Sequence, residues 1–261
     1  MTQNLPCPDL FDGYDAGAYT LPDELLKLRD TFHKVQAQPY PKPPENSWEV
    51  INRLSTETVD AVHNGKALPD AAQIEEARKA ERIYQDIIDM MTACIDLAGE
   101  RVRRGIHAHG MDIITSHLKP AHDTLWAEFK GAWRTLQEHG KTEPRHLLAA
   151  PAKVRKASDL CDLLVDRYTA IHTARGTLAR MGFGCPDDPR GKYSAIRNYH
   201  ELSPSRLATS RPPWFGLSTR HFLGWHATNG GDLWLPTPDE QAKAVKDEAP
   251  DNSLLKRAAG F

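Results

Sequence analysis

Residues 88–113 read IDMMTACIDLAGERVRRGIHAHGMDI, and within them Ile88, Met91, Ile95, Ala98, Val102, Ile106, His109 and Ile113 follow one another at steps of three or four. That rhythm keeps one side of an α-helix apolar, as a seam packed on other helices requires. A second track of Val154, Ala157, Cys161, Leu164, Tyr168, Ile171, Ala174, Leu178 and Met181 keeps the same step. Gly140, Pro144 and Pro151 fall between the two, so they are expected to join through a turn and pack on each other. The predicted fold is mainly α: a long antiparallel, coiled-coil-like helical hairpin extended to a three- or four-helix bundle.

Proline placement sets the limits of that helical core. Of 19 prolines, seven precede residue 51 and eight follow residue 185; only Pro120, Pro144 and Pro151 lie between residues 70 and 185. Proline lacks the amide donor and clashes with the preceding helical turn, so the middle reads as helix and the flanks as irregular. Three parts are expected. Residues 1–46 hold an N-terminal arm, a short helix and a Pro-rich linker; residues 47–182 hold the bundle; residues 183–261 form an irregular aromatic and basic region with a frayed tail.

Residues 1–19 show no periodicity and read as an arm that orders against a partner. Thr20 and Asp23 form a cap pair ahead of Leu25, Leu28, Phe32 and Val35, and Gln38-Pro39-Tyr40-Pro41-Lys42-Pro43-Pro44 stops that helix. A second short helix is predicted from Ser47 to about His63, ended by Asn64-Gly65. Asp70 reads as the cap of the long helix, with Gln73 placed to reach back. A helix over residues 71–119 would be about 70 Å long at about 1.5 Å per residue. Pro120 is expected to kink it before Leu125, Phe129, Trp133 and Leu136 resume the apolar face. The return helix is shorter, so the stretch from Ile83 to Val102 needs cover from the N-terminal helices or from another subunit.

Leu21-Pro22-Asp23-Glu24-Leu25, Pro39-Tyr40-Pro41-Lys42-Pro43-Pro44 and Trp48-Glu49-Val50-Ile51-Asn52 together resemble uncharacterised helical proteins of actinobacterial phages and prophages. The likeness spans about the first quarter of the chain and brings no active-site residue with it. It implies a setting of virion structural, scaffolding or head–tail joining proteins.

Composition is that of an ordinary globular protein, 40% hydrophobic and 26% charged. The net charge of −2 argues against binding nucleic acid by bulk charge. Cys7, Cys94, Cys161 and Cys185 form no Cys-x-x-Cys pair, which suits a reducing compartment and no zinc ribbon. With neither a secretory leader nor a run of about eighteen apolar residues, the expected location is the cytoplasm, or the virion for a phage-encoded chain.

Chemistry-bearing residues are sparse. His107, His109, Asp112, His117 and His122 crowd one helix, but only His109 and Asp112 have the spacing that one-helix metal ligands need. Gly184, Gly191 and Lys192 miss the spacing of a phosphate-binding loop, and Tyr193 stands where that loop has its magnesium-binding hydroxyl. No catalytic residue, metal ligand or cofactor is predicted. Between residues 190 and 226, Arg190, Lys192, Arg197, Arg206, Arg211 and Arg220 face a single acidic residue, Glu201, with aromatics interleaved. From this region and the tryptophan beyond it, Arg211, Trp214, Phe215, Arg220, Phe222, Trp225 and Trp234 are the candidate protein interface. A nucleic-acid module over residues 190–226, or an enzyme or regulator joining the histidines to the Cys185–His226 region, are the competing readings. The leading expectation is a non-enzymatic assembly protein that associates with itself or a larger complex, without membrane contact.

Overall fold

The computed structural model describes residues 4–140, 150–188, 194–202 and 212–248. Among these the chain is mainly α and sheet-free. Nine α-helices occur there: α1 (Pro8–Asp15), α2 (Asp23–Gln36), α3 (Ser47–His63), α4 (Ala72–Asp112), α5 (Lys119–Glu138), α6 (Ala152–Leu178), α7 (Tyr199–Leu202), α8 (Thr219–Thr228) and α9 (Pro238–Glu248). One isolated antiparallel bridge links Ile196 and Leu233. No helix of the described residues is long and apolar enough to cross a membrane. The chain divides into two units, residues 1–6 with 24–104 and residues 7–23 with 105–261, and the division falls inside α4.

In the first unit, α3 starts where the Asn46 side chain accepts the Trp48 amide at 2.8 Å, and it ends at Asn64 before Gly65 turns to φ +61°. Asp70 caps α4 as its position suggests, accepting the Ala72 amide at 2.9 Å. Gln73 instead accepts a hydrogen bond from Arg53 at 3.3 Å, and Glu81 accepts the Ser47 amide at 2.9 Å. Advancing along α3 from 47 to 53 therefore means retreating along α4 from 81 to 73, so the two helices run antiparallel. Leu25, Phe32, Val50, Leu54, Ile95, Ala98 and Val102 are the principal buried apolar side chains of this unit.

The second unit is built on α5 and α6. His122 meets Tyr168 and His172, and Leu125 lines a groove with Leu164, so α6 runs back along α5. It continues back until Phe183 covers Gly110, where an added Cβ would lie 2.2 Å from the Phe183 ring. Every second-track residue from Val154 to Leu178 is buried, with Met181 half-buried. Each full burial of a Leu- or Ile-sized side chain contributes roughly 1.5–3 kcal/mol.

One sequence expectation needs correction, and one turn has a shape that periodicity did not anticipate. Residues 8–15 form a helix, α1, and Leu10 and Phe11 are buried; α1 packs on α6, and the Tyr19 hydroxyl donates to the Leu10 carbonyl at 2.8 Å. The segment is too short to show a helical period by itself, so only its packing partner reveals it. Ahead of Pro120 the helix is irregular and is not interrupted. Residues Ile113–Leu118 widen into a π turn, in which the Lys119 amide bonds Ile114 five residues back. The wider turn accommodates the proline ring, which would otherwise meet the Ser116 carbonyl, and α5 carries on.

Beyond α6 a second π turn, Ala179–Phe183, ends as Gly182 adopts φ +102°. Arg175 then ties the segment after α6 to the one before α9, donating to the Phe183 carbonyl at 3.0 Å and to the Pro236 carbonyl at 3.4 Å. Trp214, Leu223, Leu233, Trp234 and Leu235 are buried, and α8 packs on both α5 and α6.

Candidate functional site

Three places could carry function. The first is the groove beside the π turn, of about 330 Å³, lined among others by Tyr19, Thr20, Ser116, His117, Glu128 and Arg167. The Thr20 hydroxyl lies 2.7 Å from His117 Nδ1, and His117 Nε2 stands 3.8 Å from Asp112 Oδ2. A hydroxyl, an imidazole and a carboxylate thus come into line, but the last step is longer than a hydrogen bond. The Nε of Arg167 is enclosed without a partner among the described residues. That arrangement can hold a polar group; it lacks the short base-to-orienter bond of an activated nucleophile.

The second is a buried run of rings. His122 and His172 meet edge to face with centroids 5.6 Å apart, and Tyr168 lies 4.1 Å from His172. Burial holds His172 down to about 3, helped by His122 once that ring is protonated and by the Arg175 guanidinium. Burial also lowers His122, although its Asp123 hydrogen bond works the other way. His226 is lowered to about 4 by burial, and neither of its ring nitrogens has a hydrogen-bond partner among the described residues. All three are neutral near pH 7, packed among Tyr168, Phe222, Trp214 and Trp225 as flat core side chains.

The remaining histidines do not join them. His107 lies against Phe183, His109 is half-buried on the seam, and His117 belongs to the groove. No group of three His, Cys, Asp or Glu side chains that could hold a metal occurs among the described residues. Cys161 is buried, which pushes its thiol up to about 11 and keeps it in the unreactive form. Residues 189–193, which include Gly191, Lys192 and Tyr193 of the glycine–lysine segment, lie outside the described residues.

The aromatic and basic residues of the C-terminal third are arranged as follows. Trp214 is buried against Tyr199, Trp225 and His226, and Trp234 is buried beneath the Arg197 guanidinium, 4.6 Å from its ring centre. Phe222 and Trp225 are half-buried, and Phe222 packs on Tyr168 and His226. Arg220 bonds Asp162 and donates to the Ser158 hydroxyl at 2.9 Å. Phe215 alone of this set is fully on the surface, at 61% exposure, and Arg211 lies outside the described residues. Arg197 and Arg220, the basic side chains described between residues 190 and 226, are both engaged by carboxylates of this chain.

The third place is on the first unit; its α4 part lies in the Ile83–Val102 stretch that the sequence marks as needing cover, and its α3 part was not singled out from sequence. On α3, Trp48, Val59 and Val62 fall within about 60° of one another at about 100° per residue, on the side away from buried Val50, Leu54 and Ala61. All three are more than 60% exposed. On α4, Ile83, Ile87, Met90, Cys94 and Leu97 follow at steps of four, three, four and three. Ile83, Met90 and Leu97 are 49%, 59% and 53% exposed, Cys94 is exposed, and Ile87 is half-buried. This outer stripe sits about a quarter-turn from the inner track of Ile95, Ala98 and Val102. Both stripes were present in the sequence; only burial separates the one already used within the chain from the one left open.

Comparison with protein-family models, with curated proteins and with solved structures finds no match to this chain.

Proposed function

We propose that this chain is a non-enzymatic assembly protein that makes protein–protein contacts through the outer apolar faces of α3 and α4. The observation that carries the reading is the exposure of Trp48, Val59, Val62, Leu68, Ile83, Met90 and Leu97 within one unit. Single exposed apolar residues are ordinary on any surface. A helix with apolar residues on two faces, one buried and one open, is instead what a subunit presents to a neighbour. The likeness of residues 21–25, 39–44 and 48–52 to phage and prophage proteins supports a virion structural, scaffolding or joining role. Sedimentation velocity over rising concentration tests the proposal: species heavier than the monomer are expected, and a monomer at every concentration overturns it.

A further inference from the structure

The outer stripe of α4 carries enough order to name its partner. In a heptad the apolar positions a and d alternate by three and four residues, which makes Ala80, Ile87 and Cys94 the a positions and Ile83, Met90 and Leu97 the d positions. The seam ends in charge on both sides. Glu76 is the d position before Ala80, and Arg101 and Arg104 are the a and d positions after Leu97.

We infer that α4 pairs through Ile83, Ile87, Met90, Cys94 and Leu97 with the same stretch of a second copy of this chain, running antiparallel. The inference rests on the assembly reading and adds partner, direction and register. In an antiparallel pair the a positions of one helix face the d positions of the other. Placing Ile87 opposite Met90 of the second copy then sets Ile83 opposite Cys94 and Ala80 opposite Leu97, small against large at each end. The same register brings Glu76 opposite Arg101 and Lys79 opposite Glu100, and two-fold symmetry makes each pair twice. Glu76, Lys79 and Arg101 are exposed. Glu100 already accepts from Arg103 and Arg104 of its own helix, but its two oxygens have lone pairs left for Lys79 of the second copy.

A parallel pair would do the reverse. It would stack Arg101 on Arg101 and Arg104 on Arg104 within the seam, and no flanking pair of opposite charge would form, because Tyr84, Met91 and Ala98 occupy the positions that Lys79, Asp86 and Ala93 would face. An unrelated partner would not explain why the charges at the two ends of this stripe complement each other in one self-consistent register. Charge complementarity therefore selects a second copy and its direction.

Cysteine chemistry tests the register in the full-length chain. Ile83 is exposed, so Ile83→Cys is expected to fold, and mild oxidation is expected to yield a covalent dimer with position 83 joined to Cys94, identified by peptide mass. The unaltered chain is expected to form no Cys94–Cys94 link; finding one indicates a parallel pair and overturns the inference. A variant that sediments as a dimer but forms no 83–94 link overturns the register while leaving the assembly reading intact. A monomer at every concentration overturns both. As a second measurement, Lys79→Glu is expected to weaken the dimer roughly threefold or more, and adding Glu100→Lys to restore it. A double variant no tighter than the single one overturns the register.

Discussion

At the level of single residues, close approaches and buried imidazoles set the sharpest expectations. Gly224 lets α8 lie on Trp133, where an added Cβ would sit 2.2 Å from the indole ring. Gly224→Ala is expected to lower stability by about 1–3 kcal/mol in urea unfolding, through overpacking. Gly131, exposed in α5 with open space around it, is the control: Gly131→Ala is expected to raise stability by roughly 0.5–1 kcal/mol. His172 is neutral in the fold and holds a pKa of about 3, below the ordinary 6.5. The unfolded chain thus binds the proton first as pH falls, so the contribution is complete above about 6.5 and lost progressively down to about 3. Thermal midpoints measured from pH 7 to pH 4 are expected to fall, and less steeply in His172→Phe, which keeps the ring contact with Tyr168 and removes the titration.

At the level of elements, the Asp70 cap was legible, while the Asn46 cap and the irregular turns were not, and Thr20, read as a cap, bonds His117 instead. Asp70 and Asn46 hold the first turns of α4 and α3 by side-chain acceptance of an amide two residues on. Asp70→Ala and Asn46→Ala are each expected to cost about 1 kcal/mol, read as faster amide hydrogen exchange in the first turn of the helix concerned. The π turn before Pro120 was out of reach of periodicity, because a wider turn depends on where the backbone finds its next acceptor. α1 was hidden for a related reason: eight residues give barely two turns, and Leu10 and Phe11 declare a face only once α6 lies beneath them. The groove that gathers Thr20, His117 and Arg167 was likewise unreadable. Its residues lie far apart in the chain, and the His117 spacing on its own helix pointed to nothing.

At the level of the whole molecule, two units share α4 and each has its own buried apolar set. The open faces all named for assembly belong to the first unit. Met90→Glu, at an exposed seam position, is expected to leave helicity unchanged by circular dichroism and to shift the sedimenting species to monomer. Loss of helicity together with association would instead assign Met90 to the fold of the unit itself.

The sequence by itself determined the helical class, both inner seams, the ends of α3 and the cap of α4, because these follow from local period and from hydrogen bonds within a few residues. It also marked Ile83 to Val102 as a stretch in need of cover, without separating the outer stripe of α4 from the inner one. Tertiary structure alone decided which apolar positions are already covered and which remain open, since burial is a property of what lies across the contact. It decided likewise that Trp214 and Trp234 face inward while Trp48 faces out. Composition treats the three alike; their neighbours in space do not.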